Sequence, residues 1–190
     1  MKTADVFDLF PNRRAILEFY YESRLILLDE MTDKIEGFDK YTLSEKLSTT
    51  ILTLLDLFQD QRKFVLESYQ KLVQSPYRSS QFSKSLKHRV HSILESDPNV
   101  SYTARFLLQS AFVSFFMFHF HCIVFFWQED RSDSLTNTMA LVDKWTALVQ
   151  ELFYNAAIDK SADLFRFLFS VSGFSQWFET CQSQSTTDTP

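Results

Sequence analysis

Glycine is almost absent from this chain, with two residues in 190, Gly37 and Gly173. Tight hairpin turns and many sheet connections need backbone with positive φ, which glycine adopts most readily. A barrel, a sandwich or a phosphate site cradled by a glycine-rich loop is therefore disfavoured. The 45% share of hydrophobic residues is enough for a packed core. The sequence predicts an all-α protein.

Apolar residues recur at spacings of three, four and seven, which predicts about seven helices joined by short connections. Thr42 and Glu45 have the spacing of a capping box and mark the start of the second helix. Ser132 or Ser134 is expected to cap the sixth. The predicted helices cover residues 12–36, 42–59, 60–75, 82–97, 101–128, 134–157 and 161–173.

The most apolar segment is Ala111–Trp127, which reads AFVSFFMFHFHCIVFFW. Its 17 residues are fewer than the roughly 20 of a membrane-spanning helix, and they include two histidines and a serine. We expect a buried core or interface helix rather than a membrane span. A helix that is apolar around its circumference must be covered on several sides, and a second copy of the chain is the simplest cover.

The formal net charge of −5 argues against nucleic-acid binding by this chain alone, because phosphate contacts need Lys and Arg. The two cysteines do not suggest a disulfide framework, and Cys122 is expected to be a small buried hydrophobe. The N-terminus lacks the basic region followed by an apolar region that is typical of a signal peptide. A cytoplasmic protein is expected.

Two segments carry a resemblance to a known family. The first is Phe7–Leu17, FDLFPNRRAIL, with two phenylalanines, a turn, basic residues and then an apolar run. The second is Phe126–Ser132, FWQEDRS, followed by Thr138 and by Val142-Asp143. Together with the order of the helices, they resemble the C-terminal effector-binding and dimerisation domain of TetR-family bacterial regulators.

Regulators of that family begin with a helix-turn-helix domain, which this sequence largely lacks. The resemblance makes residues 1–11 a remnant that follows such a domain, 12–179 the ligand-binding and dimerisation domain, and 180–190 a disordered tail. DNA binding is then expected only if a helix-turn-helix is supplied upstream. The sequence leaves open whether the missing part reflects truncation or natural loss.

The resemblance also implies a homodimer, in which helices 101–128 and 134–157 pair with their copies in a four-helix bundle. The residues assigned to this interface are Phe112, Phe120, Val124, Trp127, Trp145 and Val149.

A small apolar or aromatic ligand is expected inside the domain, between its middle helices. The assigned lining residues are Phe58, Phe64, Tyr69, Phe116 and His119. Tyr69 or His119 would supply the polar contact that orients the ligand. His119 could equally be an ordinary core or interface histidine.

No catalytic residues are assigned, because no nucleophile, base and orienting group occur in a recognisable pattern. No cofactor or metal is expected: His119 and Cys122 share a face but are too few ligands, and His88, His91 and Glu95 fit a solvated surface. Two alternatives to the regulator remain open. One is a headless carrier or accessory protein for a lipid or isoprenoid, and the other is a helical scaffold without a ligand.

Overall fold

The computed structural model describes residues 10, 12–74, 80–155 and 160; of residues 102–109, it describes only the backbone, apart from Arg105. Over these ranges the protein is all-α, as predicted, with no strand. The six helices are α1 (Arg13–Thr32), α2 (Leu43–Gln59), α3 (Arg62–Leu72), α4 (Gln81–Ser96), α5 (Tyr102–Glu129) and α6 (Thr136–Tyr154). The seventh predicted helix, 161–173, lies outside the described residues, as do most of segment 1–11 and the whole tail.

Side-chain caps fix where three helices begin. The Asn12 side chain accepts a hydrogen bond from the Ala15 amide at 3.0 Å and starts α1. At α2 the predicted capping box is present, because Thr42 accepts from the Glu45 amide and the Glu45 carboxylate accepts from the Thr42 amide. At α4 the Ser80 hydroxyl accepts a hydrogen bond from the Ser83 amide and caps the helix.

The first helix ends four residues earlier than the sequence predicted. Its last residue is Thr32, and irregular turns lead to Gly37, whose φ of +76° places it in the left-handed region. Gly37 therefore starts the short 3₁₀ helix Phe38–Lys40 instead of closing α1. Before Gly37, the Lys34 amide donates to the Met31 carbonyl and the Ile35 amide donates to the Thr32 carbonyl. These hydrogen bonds reach back three residues, whereas those of an α-helix reach back four.

The long helix α5 is covered along one side by the rest of the chain. Its buried residues recur every three or four positions: Phe112, Val113, Phe116, Met117, Phe120, Ile123, Val124 and Trp127. This side packs against α4 and α6. The opposite side is exposed although it is also apolar. The sequence alone therefore does not show which side of α5 is buried.

The segment Ser110–Glu129 within α5, with a mean hydropathy of 1.7, is long and apolar enough to cross a membrane by length and composition. The core helix of a soluble protein meets the same two criteria, and part of this segment is buried inside the domain.

Polar contacts hold α6 along α2. The Ser44 hydroxyl lies 3.0 Å from the Thr146 hydroxyl, and the Ser44 amide donates to the Gln150 side chain at 3.0 Å. One residue earlier, the Leu43 amide donates to the Tyr154 hydroxyl at 3.0 Å. The first amides of α2 thus find acceptors on α6, and these contacts fix the register between the two helices.

The turn between α5 and α6 is organised by Asp130. Its carboxylate accepts hydrogen bonds from the amide and hydroxyl of Ser132 and from the amide and hydroxyl of Thr138, at 2.6–2.9 Å. These bonds, those from the Thr138 and Ser132 side chains foremost, hold the pKa of Asp130 well below its usual range. The Ser132 hydroxyl also accepts a hydrogen bond from the Asn137 amide at 3.1 Å, but the N-cap position of α6 is Leu135, so the predicted cap by Ser132 is not formed.

Ser134 does not cap α6. It and Leu135 have left-handed backbone, with φ of 53° and 58°, a conformation that costs non-glycine residues about 1–2 kcal/mol. The four bonds to Asp130 hold the turn in this shape.

We predict that Thr42→Ala lowers the free energy of unfolding by about 1 kcal/mol, because the first turn of α2 loses its cap. Chemical denaturation measures the change. Thr49→Ala, in the interior of the same helix, is the control and should cost less; equal losses for the two variants would contradict a capping role.

We predict that Asp130→Asn lowers the melting temperature, because a neutral amide offers one acceptor oxygen where the carboxylate offers two. Calorimetry at pH 7 measures the change. Asp133→Asn, an exposed carboxylate three residues on, is the control. A melting temperature that falls no further for Asp130→Asn than for Asp133→Asn would refute this account of the turn.

Candidate functional site

An aromatic cluster fills the space between α1, α2, α3 and α4, with Tyr21 at its centre. The Tyr21 ring contacts those of Phe58, Phe64, Tyr69 and Phe82 at centroid distances of 5.7–6.0 Å. Most of these contacts are edge-to-face, the arrangement that aromatic quadrupoles favour. The cluster joins α1 to the three helices that follow it.

Two polar pairs border this cluster. The Tyr69 hydroxyl lies 2.8 Å from Nδ1 of His121 on α5. The Tyr21 hydroxyl lies 2.7 Å from Oγ of Ser68, which donates in turn to the Phe64 carbonyl at 2.6 Å. Apolar rings around a few polar groups are the composition of a typical small-molecule site.

Burial keeps these groups uncharged. It raises the pKa of the Tyr21 and Tyr69 hydroxyls, so both stay protonated. It also lowers the pKa of His121, and the nearby positive charge of Lys87 lowers it further. A neutral phenol and a neutral imidazole can bind a polar group on a ligand but offer no counter-charge to an ion.

The structure brings together three of the five residues assigned to ligand binding. Phe58, Phe64 and Tyr69 meet around Tyr21. Phe116 and His119 lie further along, where both rings contact Trp145 at 5.5 Å.

His121, which the sequence analysis did not assign to the ligand site, is the histidine beside Tyr69. His119 and His121 lie on opposite flanks of the buried side, each about 100° from Phe120 around α5. Their positions around the helix therefore do not indicate which of the two histidines belongs to the ligand site.

The residues assigned to a dimer interface pack largely inside the single chain. Phe112, Phe120, Val124, Trp127 and Val149 are buried there, and Trp145 is half-buried. These five buried side chains leave almost no surface for a second copy. On α5, the sequence analysis thus assigned to the interface the side that faces the core of the single chain.

The outer side of α5 and the adjoining edge of α6 form an exposed apolar face, which we call the α5–α6 face. Its exposed members are Phe115, Phe118, Phe125, Phe126, Leu148 and Leu152. Phe118 is 63% exposed, and Phe125 and Leu148 are each 68% exposed. Cys122 is also exposed, so the prediction that it is buried was wrong.

His119 connects the two halves of this face. Its ring lies 3.9 Å from that of Phe115 and 5.3 Å from that of Phe118, and it stacks on Trp145 of α6 at 5.5 Å. Leu152 reaches the same surface beside Phe115, across a shallow apolar groove. The apolar area thus runs without interruption from one helix to the other.

In the described part of the chain, no group of three His, Cys, Asp or Glu residues is placed to hold a metal ion. His91 and Glu95 form a contact at 3.4 Å on the outside of α4.

The sequence model of the family described as "Tetracyclin repressor-like, C-terminal domain" matches residues 46–168, well over half of the chain. The chain belongs to this family. The match confirms the resemblance, and such TetR-like domains are parts of regulators rather than enzymes. No curated protein and no solved structure shows significant similarity to the chain.

The matched range of the TetR-like domain contains nearly all of α2 and the whole of α3 to α6. It therefore includes the α5–α6 face and all of the aromatic cluster except Tyr21. Tyr21 comes from α1, which precedes the matched residues, so the cluster ties α1 to the domain.

We predict that protonation of His121 destabilises the TetR-like domain. Since folding lowers the pKa of His121, the unfolded chain binds more protons below about pH 6.5, and stability falls as the pH drops through that value. His121→Gln can keep a hydrogen bond to Tyr69 but cannot titrate, so it should lose less stability between pH 7 and pH 5.5. Urea denaturation at both pH values measures this.

His88→Gln is the control for the same experiment, because His88 is exposed on α4. It should follow the wild-type pH dependence. If His88→Gln flattens the curve as much as His121→Gln does, the effect does not come from burial of His121.

Proposed function

We propose that the chain is the effector-binding and dimerisation domain of a TetR-like transcriptional regulator. The observation that carries this proposal is the α5–α6 face, on a domain whose family is that of the tetracycline repressor C-terminal domain. A repressor-like family supports a regulator in preference to a carrier of lipids. A cytoplasmic location agrees with this role.

The α5–α6 face is suited to a second copy of the chain. Exposed apolar areas of this kind on a soluble domain mark interaction sites. From Ala111 to Phe126 the face has no charged side chain on α5, so nothing on that helix opposes close packing. Two antiparallel helix pairs related by a two-fold axis would bury it in a four-helix bundle.

Phe118→Glu should disrupt this dimer. Because the dimer is symmetric, each subunit would bury one unpaired glutamate carboxylate at the interface. The dimer dissociation constant should therefore rise at least about tenfold. Sedimentation equilibrium measures it, with twice the 22.4 kDa chain mass expected for the wild type.

Leu66→Glu is the matched control, since Leu66 is an exposed apolar residue on α3, a helix that is not part of the α5–α6 face. It should leave the dimer intact. A wild-type monomer, or equal weakening by both substitutions, would overturn the proposed dimer. Circular dichroism of each variant shows that the helices remain folded.

The proposed effector site is the aromatic cluster with its Tyr69–His121 pair. The rings contact one another, so an effector has to separate them. Because Tyr21 belongs to α1, this separation would displace α1 relative to α2 and α3. In a regulator, such a shift would change the spacing of two DNA-reading heads supplied upstream of α1.

The chemistry of the cluster favours a neutral aromatic compound with one hydroxyl or carbonyl group. We predict that 1-naphthol binds the wild type more tightly than naphthalene does, and that Tyr69→Phe removes most of this difference. Isothermal titration calorimetry measures the affinities. Tyr41→Phe is the control because Tyr41 contacts Phe38, away from the cluster. Failure of 1-naphthol to bind, or an unchanged preference in Tyr69→Phe, would count against this site.

A further inference from the structure

A groove with a charged lining lies between α1 and α4. Its volume is about 640 Å³, within the roughly 300–1,000 Å³ of sites for small molecules. Side chains that are charged or that form hydrogen bonds line it: Asp29 from α1, and Lys84, Ser85, His88, Arg89 and Ser92 from α4. This lining suits a polar ligand, in contrast to the rings of the aromatic cluster.

The Arg89 guanidinium is held in place from the buried side of the groove. It donates to the hydroxyl oxygens of Thr32 on α1, at 3.0 Å, and of Thr50 on α2, at 3.5 Å. Each hydroxyl gives its own hydrogen to the backbone carbonyl four residues earlier, at 2.9 Å for Thr32 and 2.8 Å for Thr50. The two hydroxyls therefore act as acceptors towards Arg89, and being neutral they leave its positive charge uncompensated.

The guanidinium also forms an ion pair with Asp29, and the two partners differ in how firmly they are held. The Arg89 side chain is 17% exposed, whereas the Asp29 side chain is 59% exposed. Exposed carboxylates gain little from such a pair, so Asp29 can leave at small cost while the two threonines keep Arg89 in place. Since Asp29 itself lines the groove, the Arg89 donor that it occupies is accessible from the groove.

The charges of the lining determine which kind of ligand can bind. Of the described residues in the lining, Lys84 and Arg89 are cations and Asp29 is the one anion. Asp33 interacts electrostatically with Arg89 but does not line the groove. The lining thus has one positive charge in excess, which a ligand with a single negative charge would balance.

We propose that this groove binds a small carboxylate ion that carries hydroxyl groups. The ligand carboxylate replaces that of Asp29 on Arg89 and is attracted by the Lys84 ammonium. Hydrogen bonds between a guanidinium and a carboxylate are strong because both partners are charged. The ligand hydroxyls bind to the hydroxyls of Ser85 and Ser92 and to the His88 imidazole.

Binding in the groove would separate Asp29 from Arg89 and so remove one of the contacts between α1 and α4. Asp29 lies about 12 Å along α1 from Tyr21, since the helix rises about 1.5 Å per residue. In a regulator, loosening this end of α1 would alter the position of DNA-reading heads upstream, and only this consequence rests on the function proposed above. Binding itself depends neither on the dimer nor on the aromatic cluster, so it can succeed or fail independently of them.

The test is a titration of the ¹⁵N-labelled chain with gluconate at constant ionic strength, followed through the backbone amide signals of α4 in NMR spectra. Gluconate should shift the signals of residues 84–92 in a saturable manner. Sorbitol has the same carbon chain with a hydroxymethyl group in place of the carboxylate. It should bind at least about fivefold more weakly, because it offers Arg89 no charged acceptor.

Asp29→Asn should tighten gluconate binding at least about threefold, because the Arg89 donor no longer has to be freed from a carboxylate. Asp33→Asn is the matched control. It removes the same charge near Arg89 without removing a hydrogen-bond partner, and it should tighten binding less. An Asp29→Asn variant that binds gluconate no more tightly than Asp33→Asn would overturn the proposal.

Lys84→Gln should weaken gluconate binding at least about threefold, since the ligand loses one of two cations. Lys71→Gln, the same change at an exposed position on α3, should not. The proposal is also overturned if gluconate leaves the α4 signals in place, if sorbitol binds equally well, or if Lys84→Gln binds as the wild type does. Circular dichroism of each variant shows that the helices remain folded.

Discussion

A 28-residue helix that is apolar on every side has to be covered, and the other helices are arranged to meet this requirement. The chain buries one side of α5 with α4 and α6 and leaves a row of phenylalanines on the other. Removing this second side from water is favourable for any surface that can match it. The same helix thus completes the core and supplies the apolar surface of the proposed dimer.

The position of α6 decides what the exposed side of α5 looks like. Hydrogen bonds from the start of α2 to Thr146, Gln150 and Tyr154 fix α6 along its length. The Asp130 carboxylate fixes its beginning through a turn with two left-handed residues. Because α6 is held at both ends, Leu148 and Leu152 lie beside the phenylalanines of α5 and extend a single apolar face.

The aromatic cluster and the α5–α6 face are connected through α5. Phe82 of the cluster contacts Phe120, Phe120 stacks on Phe116, and Phe116 contacts Trp145 of α6. A change in the packing around Tyr21 therefore has a continuous set of ring contacts through which to reach the proposed dimer helices. Closely packed aromatic rings transmit displacement well because protein interiors have few voids.

Local spacing and composition were enough to predict the all-α class, the family, the capping box at Thr42 and the approximate limits of most helices. They could not determine which side of α5 is buried, since phenylalanines occur on all sides of this helix. Phe112, Phe120, Val124 and Trp127 therefore became core residues of one chain, and Cys122 became exposed. The central position of Tyr21 in the cluster and the pairing of His121 with Tyr69 came from tertiary packing, because these contacts join residues on different helices.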